Sequence, residues 1–117
     1  MQYLLLCCID ESLWAGIPQP ERDGIMREYG AWMQGLDESR QHLASAQLRP
    51  SATASTIRVK NGRTAITDGP FAETKEQLGG YHLIECKDRD EAISIATRIP
   101  TLRVGGTVEV RQLEAAP

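Results

Sequence analysis

Gln2–Ile9, QYLLLCCI, is a run whose one strongly polar side chain is Gln2. In a strand, Tyr3, Leu5, Cys7 and Ile9 point to one face, and Gln2, Leu4, Leu6 and Cys8 to the other. Both sets are largely apolar, so the strand is predicted to lie inside a sheet that is covered on both faces. Helices of the same chain meet one face. A second copy of the chain is the most economical cover for the other. Two sheets so paired would enclose a pocket of apolar and charged groups, suited to a small polar or anionic organic ligand.

Outward from that strand, Asp10–Gln19 reads as a loop. Glu21–Leu36 reads as a helix, because Ile25, Met26, Tyr29, Trp32, Met33 and Leu36 form one stripe, read as core. Asp37–Thr53 gives no firm pattern beyond a short strand at Gln47–Arg49. Asn61-Gly62 joins Thr56–Lys60 to Arg63–Thr67 as a hairpin, since both residues tolerate the positive φ of a type I′ turn. Asp68-Gly69-Pro70 closes it with turn chemistry. Glu73–Gln77 reads as one helical turn, and Gly79-Gly80 leads into a strand at Tyr81–Cys86. Asp88 and Glu91 form a capping box opening a second helix, with Ala92, Ile93, Ala96 and Ile99 buried and Pro100 as its stop. Thr107–Leu113 is the last strand. This order predicts one α+β domain over residues 1–117: a ferredoxin-like antiparallel sheet with two helices on one face, paired into a dimeric α+β barrel.

Alternation then sorts the faces. Ile57, Val59, Val108 and Val110 are predicted to meet the helices. Arg58, Glu109 and Arg111 are predicted to line the open face.

The chain has 117 residues, 13 basic and 16 acidic, for a net charge of −3. That balance argues against nucleic acid as a partner, because binding phosphates needs a basic surface. No apolar run approaches the roughly 18 residues of a membrane helix, and the short apolar start has no basic leader. The expected compartment is the cytoplasm. Cys7, Cys8 and Cys86 are odd in number and include no Cys-x-x-Cys pair, so they read as small hydrophobes in a reducing environment. Two separated histidines, His42 and His82, give no metal-ligand spacing. Neither a metal nor an organic cofactor is expected.

The most distinctive segment is Thr67–Leu83, TDGPFAETKEQLGGYHL. Asp68-Gly69-Pro70-Phe71-Ala72-Glu73-Thr74-Lys75-Glu76, then Gly79-Gly80-Tyr81 and Leu83-Ile84-Glu85, resembles the signature of the DGPF branch of the YCII-related family. Tyr3-Leu4-Leu5 and Val108-Glu109-Val110-Arg111 resemble that family's ends. The resemblance implies a ferredoxin-like fold that dimerises into an α+β barrel. It also implies a relative that removes chloride from a chlorinated hydroxyquinone with a His–Asp pair, the His lying in the first helix region. Glu21–Leu36 contains no histidine, so that pair is not carried over.

Asp68 is the first candidate for chemistry, either as a turn residue bonding its own backbone or as a general base aimed from a strand end. His82 is either a satisfied core histidine or a general base. His42 reads as a surface residue. Arg58, Gly69, Pro70, Glu73, Tyr81, Glu109 and Arg111 are the candidate pocket residues. The resulting expectation is an uncharacterised small-molecule-binding protein with a regulatory or accessory role. The alternative is a cofactor-independent lyase or isomerase with Asp68 as acid/base and Arg58 or Arg111 holding an anionic substrate.

Overall fold

The computed structural model describes residues 1–115. Strand β1 (Gln2–Ile9) takes an interior place, as its two apolar faces require. It pairs antiparallel with β5 (Gln77–Glu85) on one side and β6 (Thr107–Gln112) on the other. Strand β2 (His42–Gln47) completes the sheet on the far edge of β5, giving the order β2-β5-β1-β6. This is the ferredoxin-like arrangement predicted from the element order. Helix α2 (Gln19–Glu38) links β1 to β2, and α3 (Arg89–Ala96) links β5 to β6. The core lies between these helices and the sheet, with Leu5, Ile84, Ala92, Ile95 and Ile99 all buried.

Several local expectations need correction. The predicted loop at Asp10–Gln19 contains a short helix, α1 (Glu11–Ala15), because the Asp10 carboxylate accepts from the backbone N–H groups of Ser12 and Leu13. The edge strand is His42–Gln47, not Gln47–Arg49. Its HLASAQ composition lacks the β-branched residues that flag a strand, and pairing with β5 alone organises it. Glu73–Gln77 forms no helical turn; Gln77 already starts β5. Gly79-Gly80 lies inside β5. Cys7 pairs with Gly80 and Cys8 with Leu78, so Gly79 is the extra residue of a bulge.

The largest correction concerns β3 (Ser55–Lys60) and β4 (Arg63–Asp68). They form a separate two-stranded ribbon, turned by Asn61 and Gly62 at positive φ. Ile57 and Val59 therefore do not meet the helices; they are 67% and 71% exposed. Arg58 likewise lies on this ribbon and not on the open face of the main sheet. The ribbon projects from the body, consistent with a radius of gyration of 16.2 Å against about 13 Å for a compact chain of this size.

Helix α2 ends in a Schellman motif. Arg40 takes the left-handed position at φ 61°, the Arg40 N–H donates to Asp37 O, and the Gln41 N–H donates to Leu36 O. This sharp exit sets the start of β2 beside the last turn of α2.

Candidate functional site

The helix-facing side of the sheet and the middle of α2 enclose a cleft of about 680 Å³. Strand β1 contributes Cys7 to its wall, β5 contributes Gly80 and His82, and β2 contributes Ser45 and Ala46. Helix α2 supplies Met26, Tyr29 and Met33, and α1 supplies Trp14. The rim is tied down by Glu11: its carboxylate accepts from the Ser51 N–H at 2.8 Å and the Ser51 hydroxyl at 3.1 Å. The Glu11 N–H in turn donates to Gln77 Oε1 at 3.1 Å. The lining is mainly apolar with a few convergent polar atoms, the pattern of a small-molecule site.

Those polar atoms meet at Tyr29. Its hydroxyl is hydrogen-bonded to Nε2 of His82 and lies 3.4 Å from Sγ of Cys7. His82 is 4% exposed. It sits edge-on to Trp32 with centroids 4.8 Å apart, and Trp32 is anchored by its indole N–H on the Ile95 carbonyl at 3.0 Å. Burial, and secondarily the neighbouring His42 charge, lower the His82 pKa to about 4. Burial also raises the Tyr29 phenol and the Cys7 thiol above their ordinary values; for Cys7, the Tyr29 hydrogen bond opposes this. At neutral pH the cleft floor is therefore three uncharged groups able to donate or accept a proton, with no fixed charge among them. His42 is not the surface residue expected. Its side chain is 14% exposed, and Nδ1 pairs with Asp37 Oδ1 at 2.6 Å across the helix exit.

The expected site residues fall in four places. His82 alone among them lines this cleft. Gly69, Pro70 and Glu73 border a shallower depression of about 590 Å³, with Asp10, Ser12 and Lys75. Tyr81, Glu109 and Arg111 stand on the open sheet face. Tyr81 and Glu109 flank Leu6, and Arg111 pairs with Glu109 at 2.8 Å. Beside them Leu4, Leu6, Cys8 and Leu83 are only half-buried. Asp68 is exposed at the end of β4, and its carboxylate has no hydrogen bond among the described residues. Backbone and neighbouring groups hold the turn instead. Gly69, at φ 99°, donates its N–H to Ala54 O at 2.7 Å and accepts from the Thr56 hydroxyl at 2.7 Å. Arg58 donates to the carbonyl of Phe71 at 2.8 Å, and the Phe71 ring is 81% exposed.

Tyr29, Cys7 and the Asp37–His42 pair were not singled out from sequence. In sequence, Tyr29 reads as one member of an apolar helix stripe. The one available signal was its hydroxyl, a polar atom on a buried face that needs a partner.

A family model for the YCII-related domain matches residues 1–115. The chain is 39% identical over 114 residues to an uncharacterised protein of Rhizobium meliloti (strain 1021), covering 97% of this chain and 92% of the other. Among solved structures it is similar to 5-chloro-2-hydroxyhydroquinone dehydrochlorinase of Burkholderia phenoliruptrix, determined in complex with 2,5-dihydroxybenzoquinone. The TM-score is 0.59 at 13% identity, over 99% of this chain and 96% of that one. At that identity the likeness is one of fold.

Proposed function

The chain belongs to the YCII-related family, and on that premise we propose that it binds a small polar or anionic organic molecule in the cleft between α2 and the sheet. We place it in the DGPF branch on the Asp68–Glu76 signature. The observation that carries the binding reading is the cleft itself: a mainly apolar enclosure with Tyr29, His82 and Cys7 converging on its floor. Among the described residues, Arg49 is the one cationic group lining it, a partner for an acidic oxygen. The solved relative's bound dihydroxybenzoquinone belongs to the same ligand class.

The working form is a homodimer, with a second copy covering Leu4, Leu6, Cys8 and Leu83 on the open sheet face. The projecting ribbon supports this, since Ile57, Val59 and Ile66 share one apolar face and are each about two-thirds exposed or more. The test of ligand binding is thermal shift and calorimetry with 2,5-dihydroxybenzoquinone and neutral benzoquinone analogues. A saturable stabilisation that weakens in Tyr29→Phe is expected. No shift with any of these probes removes the ligand class.

A second reading is favoured by the unbonded carboxylate of Asp68. Because the turn does not use it, it is available as acid/base for a lyase or isomerase reaction without cofactor. Asp68→Asn separates the readings: a general base lost this way costs about 10²–10⁴-fold in turnover with binding kept. Equal behaviour of both proteins leaves the binding role alone.

A further inference from the structure

Two buried ring nitrogens have no hydrogen-bond partner among the described residues: Nε2 of His42 and Nδ1 of His82. Their rings come from adjacent strands, β2 and β5, with centroids 6.4 Å apart and planes at 60°. Even if the two nitrogens pointed at one another, that separation is too long for a direct hydrogen bond and fits one intervening water. A buried water persists where polar groups converge on it, and two unpartnered buried nitrogens on rings this close can supply two of its hydrogen bonds.

The opposite nitrogen of each ring is already engaged. His42 Nδ1 pairs with Asp37, whose side chain is 62% exposed. His82 Nε2 pairs with the Tyr29 hydroxyl, which also contacts Cys7 Sγ in the cleft. We propose that one water molecule bridges His42 Nε2 and His82 Nδ1, joining Asp37, His42, His82, Tyr29 and Cys7 into a single proton path from the surface to the cleft floor.

The transfer balances once an acid occupying the cleft supplies the proton; no oxidant, reductant or further reactant enters. A proton released in the cleft is accepted at the Tyr29 oxygen while Tyr29 passes its own hydroxyl proton to His82 Nε2. His82 releases its Nδ1 proton to the water, and the water passes one to His42 Nε2. The net change is one proton moved from the cleft to His42, where the Asp37 carboxylate faces the new cation. The side chains around His82 are Tyr29 and Trp32 from α2, His42 from β2, and the cross-strand neighbours Leu5 of β1 and Ser45 of β2. None is a carboxylate, so nothing beside the ring favours a resting charge there. A concerted hand-off leaves none. The water and its hydrogen bonds need no bound ligand, so the proposal stands or falls separately from the ligand class above.

The test is NMR of the whole chain with 15N-labelled histidine in water. In the wild type, the Hε1 protons of both rings are expected to cross-relax with one long-lived water, and His82 Nδ1 to carry a hydrogen-bonded shift. His42→Gln keeps a polar terminus and should retain the water. His42→Leu should lose it and move both ring-nitrogen resonances of His82. Asp37→Asn, remote from His82, should alter the His82 tautomer balance, which a purely structural Asp37 would leave unmoved. Absence of the water signal in the wild type overturns the proposal without recourse to any variant. So do His82 ring nitrogens that stay unchanged in folded His42→Leu.

Discussion

Lowering the pH from 7 to 5 should destabilise the fold through His82. The ring titrates near 6.5 when unfolded and at about 4 in the folded chain, where burial disfavours its cation. A base whose folded pKa is depressed lends stability that is complete above about pH 6.5 and is lost as pH falls toward 4, because the unfolded chain binds the extra proton. At pH 5 the unfolded ring is almost wholly charged, while the folded ring is still mostly neutral. At 1.36 kcal/mol per unit, the loss between pH 7 and pH 5 is about 2 kcal/mol, growing to about 3 kcal/mol at pH 4. A domain of this size has a urea slope of about 1–2 kcal/mol per molar, so the midpoint should fall by about 1–2 M between pH 7 and pH 5. Trp32, against the His82 ring, is the fluorescence reporter. His82→Leu is the control: it sacrifices the Tyr29 hydrogen bond at every pH, so only its pH slope is compared. The slope between pH 7 and pH 5 should flatten by about 2 kcal/mol in the variant. Equal slopes in both proteins, or an NMR midpoint for His82 near 6.5, would refute the burial argument.

Other outcomes follow from the bulge, the turn and the open face. Gly80→Ala places a Cβ 2.9 Å from the Ala46 carbonyl oxygen, a backbone atom of the paired edge strand. It should cost about 1–3 kcal/mol in urea unfolding, with loosened hydrogen exchange in β2. Gly69→Ala meets no atom within 4 Å, so its cost comes only from φ 99° and should be of order 1 kcal/mol. Unchanged melting would mean that the turn relaxes freely. Light scattering should give about twice 12.9 kDa for the wild type. Leu6→Asp, in the centre of the open face, should shift the protein to a monomer with near-native circular dichroism; a monomeric wild type removes the second copy.

The sheet was legible in the residues because its signals are local and redundant. QYLLLCCI is apolar on both faces, and the Asp88–Glu91 box and Pro100 bracket α3, while Asn61-Gly62 marks the turn of the separate ribbon. Their order alone implies the split βαβ plan. Strand β2 was not legible, since HLASAQ has no intrinsic strand preference and is organised only by hydrogen bonds to β5. Nor was the fate of the ribbon: alternation says that Ile57 and Val59 share a face, but not which surface that face meets. The site was least legible of all. Cys7, Tyr29, Asp37, His42 and His82 come from β1, α2, β2 and β5, and no spacing along the chain connects them. A hydroxyl in a helix stripe and a histidine in a strand read as core. Packing the stripe on the sheet puts the two in one desolvated place, where each needs the other's hydrogen bond. Composition and periodicity determine which faces are buried; only the tertiary structure decides which polar atoms are buried together.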